Sequence, residues 1–265
     1  MRFFEFGDLG WVPNLYHIYL RRYLGFFYKL FGYYKLWIPA FSEFIREVNK
    51  TKFMECCSGS GETLELIRSQ LDKKEFLGIE FLLSDIQPHS EFVKNINQSC
   101  DPAFRYIDQS VDVTEMKSDF NHPKIFINSF HHFSEEQVKL IFDSNFNQGN
   151  EIIIMEYVRN SLMGYLTMLM GPIIVLLTLP FVVKFKHLPI MIVFTYLIPL
   201  FPLMMLWDGF VSCLHEYSVK KLTQLVKKLG HEKISIKGSI KRNILYPAGV
   251  SVVSFTFPPS KVYES

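Results

Sequence analysis

Phe53-Met54-Glu55-Cys56-Cys57-Ser58-Gly59-Ser60-Gly61-Glu62-Thr63-Leu64 is the stretch whose reading decides the fold. Its first residues are apolar and read as a short buried strand. Its middle holds only small residues, as a tight turn requires. Its end reads as the first turn of a helix. A helix start presents free backbone N–H groups and the positive end of a dipole, so this turn suits an anionic or carboxylate ligand.

Working outward, the chain repeats the same alternation of short apolar runs and helical patterns. Glu62 to Leu71 is helical, and Asp72-Lys73-Lys74 breaks it at the surface. Ile79 to Ser84 is a second strand, with Asp85 at its end. Pro88 to Gln98 is a helix, and Phe104 to Ile107 a third strand. Lys124 to Phe133 contains a fourth strand and its exit, short and unalternating as in a strand covered on both faces. Ser134-Glu135-Glu136 is a helix start, with a serine cap and acids in the first turn. Glu151 to Tyr157 is the fifth strand. Ser218 to Gly230 is a helix, and Lys233 to Ile236 and Val250 to Phe257 are two closing strands.

The turn resembles motif I of the class I S-adenosylmethionine-dependent methyltransferases. Glu55 stands for the family's acid, and Gly59 and Gly61 for its last two small positions. Cys57 replaces the first glycine and leaves a side chain where the backbone approaches the cofactor. The resemblance covers residues 50–157 and 208–258. It implies an α/β fold, a Rossmann-like seven-stranded mixed sheet, with S-adenosyl-L-methionine as cofactor. Glu55, Cys57, Ser58, Gly59, Gly61, Asp85, Asp112 and Asn128 would line the cofactor site. Asp85 matches the acid that holds the ribose hydroxyls; Glu80, mid-strand, fits less well, and helix capping is the other use for Asp85. Asp112 stands near where the family has an acid beside the adenine, with Asp108 as competitor. His131 and His132 follow the fourth strand and Glu156 ends the fifth, so all three would sit at the carboxyl ends of the strands, where such sheets bind ligands. A neutral imidazole there can take a proton from an acceptor. The bland use of the two histidines is capping and packing. No metal site is expected, since adjacent residues point apart.

The feature outside the resemblance lies between the fifth strand and the closing helix. Leu162 to Val183 and Leu188 to Trp207 are free of charge, and only Lys184-Phe185-Lys186-His187 separates them. Each is long enough to cross a hydrocarbon core of about 30 Å as a helix, so a hydrophobic hairpin is expected. Five prolines interrupt it: Pro172, Pro180, Pro189, Pro199 and Pro202. It either spans the bilayer or enters one leaflet. Asp208, just after it, either faces a pocket mouth or caps an interfacial helix. Residues 11–48 are rich in Tyr and Phe with interspersed cations. They read either as an interfacial membrane helix or as a lid over the core.

Composition agrees with this reading. Apolar residues make up 49% of the 265, and the mean hydropathy is +0.13, high for a soluble enzyme. A net charge of +2 argues against nucleic acid as partner. Cys56, Cys57, Cys100 and Cys213 form no zinc or disulfide spacing, which suits a reducing compartment. The N-terminus lacks the pattern of a cleavable signal. The expected organisation is an aromatic segment over 1–49, an α/β core over 50–160, the hairpin over 161–207 and completion of the core over 208–265. The expected function is methylation of a lipophilic small molecule or lipid at a membrane, with the catalytic domain facing the cytoplasm. A nicotinamide-dependent oxidoreductase is the alternative enzyme, but it needs a third glycine where Leu64 stands. A non-catalytic membrane scaffold is the other alternative.

Overall fold

The structure is a computed structural model that describes residues 2–72, 74, 76–99, 101–115, 120–244 and 246–258. Lys73 and Cys100 and the last residues of the C-terminal part lie outside the described residues. The chain forms two compact units.

The first, Trp37–Glu156 with Tyr217–Ile240 and Ser251–Ser265, is built on a sheet. Helix α1 (Asn14–Phe31) belongs to the other unit, and α2 (Ile38–Val48) opens this one. Strand β1 (Lys52–Cys56) leads through the glycine turn into α3 (Glu62–Gln70). Then come β2 (Glu80–Ser84), α4 (Ser90–Asn97), β3 (Phe104–Tyr106), β4 (Lys124–Ile127), α5 (Glu135–Asn147) and β5 (Ile152–Glu156). After the helical insertion, α9 (Val219–Lys228), β6 (Ser235–Asn243) and β7 (Tyr246–Thr256) finish the chain. The order across the sheet is β3-β2-β1-β4-β5-β7-β6. The first five strands run parallel and β7 pairs antiparallel with β5. This is the seven-stranded mixed sheet that the resemblance implies.

The short apolar runs of β4 and β5 are buried at every position, as strands covered on both faces must be. Phe41, Phe44, Ile45 and Val48 recur at helical spacing on α2 and are buried. Lys124, at the start of β4, is buried with its Nζ donating to the carbonyls of Phe120 (2.6 Å) and His122 (2.5 Å). Those bonds let an ammonium begin a buried strand, although burial still lowers its pKa to about 8. The two closing strands are longer than the alternation suggests. β6 is mostly exposed, so its polar residues conceal it, while Pro247 and Gly249 interrupt the pattern of β7.

The second unit joins Met1–Leu36, Tyr157–Glu216 and Lys241–Val250. Its first apolar run is one helix, α6 (Leu162–Val182), with Pro172 and Pro180 inside it. The second run is not one helix. It begins as α7 (Leu188–Ile192), widens into a π turn over Val193–Leu197, and bends by 72° before α8 (Leu200–His215). Pro199, which lacks a backbone donor, sits at the break. Tyr16, Tyr19 and Tyr23 of α1 pack against Val175, Leu179, Phe201 and Met205. Tyr19 Oη accepts from Lys184 N (3.1 Å) and pairs with His187 Nδ1 (2.8 Å), which ties α1 to the connection between the two runs. Asp208 does not open to solvent; its carboxylate takes the first two backbone N–H groups of the 3₁₀ turn Phe6–Asp8. It is buried within α8 and accepts from Phe6 N (2.6 Å), Gly7 N (2.9 Å) and Tyr16 Oη (2.7 Å). Three donors make burial of that carboxylate tolerable and fasten the N-terminal segment to α8.

Ser134 caps α5 in a reciprocal box with Gln137: Gln137 N donates to Ser134 Oγ (3.2 Å) and Ser134 N to Gln137 Oε1 (2.8 Å). Ser134→Ala is therefore expected to lower stability by about 1 kcal/mol, measured by denaturant unfolding.

Candidate functional site

The turn after β1 is fastened to the end of β2 by a compact set of hydrogen bonds. Cys56 of β1 lies opposite Ser84 of β2. Ser58 N donates to Ser84 O (2.9 Å), Ser84 N to Ser58 Oγ (3.1 Å), and both serine hydroxyls donate to Glu55 O (3.0 Å each). Gly59 N donates to Asp85 Oδ2 at 2.9 Å, and Gln87 N to Asp85 Oδ1 at 2.9 Å. The carboxylate that begins the β2 exit thus grips the glycine turn itself. The cap of α4 is instead His89, whose Nδ1 accepts from Glu91 N (3.3 Å), so Asp85 is not used as a helix cap.

Gly61 stands at φ +75° at the start of α3, and a Cβ there would lie 2.6 Å from Leu83 Cδ2. Only glycine fits both the left-handed backbone and the space. Cys57 adopts φ +57°, the same left-handed region, with a side chain attached. It occupies the position where the family has glycine, and the conformation explains that preference. Residues 57–60 remain only half-buried, so the turn is open rather than packed shut.

Glu55 lies under the turn, 2% exposed, and its Oε2 accepts no hydrogen bond among the described residues. Burial, reinforced by Asp85 and Glu65, pushes its carboxyl well above the ordinary range, against a hydrogen bond with Ser58. Burial likewise pushes the Cys56 thiol to about 12 and raises Cys57, so neither is a ready nucleophile.

Three further strand ends lie along the same edge of the sheet, β3 beside β2, β4 beside β1 and β5 beside β4. At the β3 exit, Val111 N donates to Asp85 O (3.0 Å), and Asp112 Oδ1 accepts from Thr114 N (2.8 Å) and Thr114 Oγ1 (2.7 Å). Asp112 is thereby held in place by its own loop, half-buried. β4 is the other neighbour of β1, and its exit begins with Asn128 at φ +48°, whose N–H donates to Met155 O (2.7 Å). At the β5 end, Glu156 is buried and binds that same exit. Its Oε1 accepts from Phe130 N (2.6 Å), and its Oε2 lies 2.7 Å from His131 Nδ1. At this distance the carboxylate pairs with Nδ1 and holds the imidazole ring of buried His131 in one orientation. His132 is half-buried, its ring centroid 4.4 Å from that of His131.

The structure therefore gathers Glu55, Cys57, Ser58, Gly59, Gly61 and Asp85 into one hydrogen-bonded turn. Asp112, Asn128, His131, His132 and Glu156 stand at the neighbouring strand ends. Tyr106 was not legible as a site residue. Its Oη donates to Gly59 O (3.0 Å), while Asn97 brackets its backbone with two hydrogen bonds. A tyrosine ending a short strand gives no signal of that contact in the sequence.

A scan with protein-family models matches none of them, and a comparison with curated protein sequences finds no match. Solved structures do share the fold. The plantazolicin methyltransferase BpumL in complex with S-adenosylhomocysteine aligns at 10% identity and a TM-score of 0.52, covering 92% of this chain and 96% of that one. The same enzyme with a pentazolic desmethylplantazolicin analogue and S-adenosylhomocysteine aligns at 11% identity and a TM-score of 0.54, covering 91% and 97%. At such identity the likeness establishes the α/β methyltransferase fold.

Two outcomes follow from the turn. Cys57→Gly is expected to be no less stable than the parent and up to about 1 kcal/mol more stable, whereas Cys57→Val loses about 1–2 kcal/mol in denaturant unfolding. Glu55→Gln removes a group that holds its proton more tightly folded than unfolded. The parent's stability relative to Glu55→Gln is therefore expected to rise as the pH falls toward 4.5 and to fall as the pH rises, read as the difference in melting temperature across pH.

Proposed function

We propose that this chain is an S-adenosylmethionine-dependent methyltransferase that acts on a lipophilic acceptor at a membrane. The observation that carries the reading is the Asp85–Gly59 hydrogen bond at the carboxyl ends of β1 and β2, within a sheet of methyltransferase strand order. The residues present fit the cofactor. The turn is open, its glycines leave the backbone bare, and the buried Glu55 keeps an oxygen without a partner among the described residues. Each Asp85 oxygen has accepted one N–H and retains capacity for a second donor, which a ribose diol supplies. Glu55, Gly59, Gly61 and Asp85 would hold the adenosyl moiety, with Asp112 toward the adenine and Asn128 at the β4 exit.

When bound, the cofactor would supply an electrophilic methyl group for in-line transfer to the acceptor, with a neutral thioether as the leaving group. The protein's part is positioning and proton removal. Glu156 orients His131 and stabilises it once protonated; His131 Nε2 takes the acceptor's proton. Glu156 is thus a positioning residue rather than a second base.

The apolar helices support a lipophilic acceptor. An anchor beside an enzyme is useful when the substrate resides in lipid, as a phospholipid amine, an isoprenoid quinone or a lipid hydroxyl does. The body then stays in the cytoplasm, where the methyl donor is made.

Incubation of the protein with total membrane lipid and the methyl donor is expected to give a product heavier by one methylene, seen by mass spectrometry. His131→Ala should lower kcat by about 10²–10⁴ with little change in cofactor affinity. Asp85→Ala should abolish detectable cofactor binding by calorimetry. Unchanged binding by Asp85→Ala removes the ribose assignment, and absence of any methylated lipid removes the acceptor class.

A further inference from the structure

The charges of the chain are divided unequally. The unit of Met1–Leu36, Tyr157–Glu216 and Lys241–Val250 holds ten lysines and arginines against four acids, whereas the rest of the chain holds 18 against 22. Three of those four acids are withdrawn from the surface. Glu5 and Asp208 are buried, and Glu216 lies with its side chain 4% exposed, 2.6 Å from Arg159 Nε. Asp8 alone of the four is exposed, while Lys29, Lys184, Lys186, Lys241 and Arg242 are among the exposed cations. The surface of the apolar unit is therefore strongly basic.

The same unit leaves its apolar residues uncovered. Only 17% of the most apolar window of α6 is buried. Leu162, Leu166, Leu169, Ile173 and Leu177 line the face of α6 opposite Gly164, Met168, Val175 and Leu179, and all five are exposed. A core helix of a soluble protein does not look like this. Basic charge beside an open apolar face matches a membrane surface that carries anionic headgroups.

The geometry also restricts how the unit can enter. α6 has about 31 Å of rise, but α8 has about 24 Å before the 72° bend, so the returning limb falls short of a hydrocarbon core. Tyr19 ties α1 to Lys184 and His187, and Arg21 and Arg22 follow it within one turn. An upright α6 would carry those arginines among the lipid tails near its far end. Entry by the tip alone would carry Lys184 and Lys186 there instead. Tip-only entry is strongly disfavoured, and an upright α6 is opposed by the short α8 limb. Lying along the surface avoids both, because the apolar faces reach the upper acyl chains while the cations extend to phosphate.

We propose that the basic helical unit lies in one leaflet of an anionic bilayer, with the α6 leucines among the acyl chains and Lys184 and Lys186 against lipid phosphates of that same leaflet. This rests on the membrane association proposed above and adds the lipid charge and the depth of entry.

The test is vesicle flotation with the full chain, using phosphatidylcholine alone and phosphatidylcholine with phosphatidylserine at roughly a third of the lipid. Binding is expected to favour the anionic vesicles and to weaken with salt. Lys184→Ala/Lys186→Ala should weaken it by roughly 30-fold, with S-adenosylhomocysteine binding unchanged as the sign of an intact fold. Lys186→Cys, on protein bound from outside, should be labelled by an impermeant thiol reagent above the parent's background. Equal binding to both vesicles, or no effect of the double variant, overturns the lipid-charge claim while membrane association stands. Labelling of Lys186→Cys only from the vesicle lumen overturns one-leaflet entry. Binding to neither vesicle, with a dimer seen in light scattering, overturns both this inference and the membrane association on which it rests.

Discussion

The Asp85 carboxylate accepts the Gly59 N–H at 2.9 Å, and the local architecture of the candidate site follows from that contact. It joins the exits of two parallel strands whose registers already place Cys56 beside Ser84. The serine pair Ser58 and Ser84 closes the same junction through Glu55 O. A turn held this way cannot collapse onto the sheet, so its backbone stays half-exposed at the helix start. Ser58 N, Gly59 N and Gly61 N each have an acceptor, and glycine is required at 61, where a Cβ would strike Leu83. The neighbouring exits are fixed by the same means. Glu156 takes both the Phe130 N–H and the His131 ring, which makes the imidazole's orientation a property of the β5 end.

Much of this was legible in the sequence because it is local. The glycine turn and the Ser134 cap each depend on residues close together in the chain, and Asp85 is read from its place at a strand end although its partner Gly59 lies 26 positions away. The short apolar strands carry their own signal through their two-sided burial. The unreadable parts are those in which distant segments meet. Tyr106 reaches Gly59 across 47 positions, and nothing near either residue announces it. Asp208 looks like a residue at an interface, yet its partners are Phe6, Gly7 and Tyr16 at the other end of the chain. The second uncharged run looks like one long helix by composition. Pro199 and the π turn before it divide that run into two directions, and hydropathy alone is blind to direction.

The two units meet different physical demands. One surrounds a sheet with aromatic and aliphatic side chains and is net acidic outside. The other exposes leucines and cations together, a combination that water alone does not favour. The apolar helices of that unit are not part of the seven-stranded sheet, and the proposed lipid acceptor is what gives them a use. In that account the aromatic α1 is a packing element of the helical unit, its tyrosines turned toward α6 and α8 and its arginines near the headgroups.

Hydrogen–deuterium exchange with and without S-adenosylhomocysteine tests the central claim most directly. The account predicts added protection confined to four strand exits: residues 57–62, 85–88, 111–115 and 128–132. No protection at residues 57–62, or protection confined to the opposite ends of the strands around Lys52 and Lys124, would contradict it.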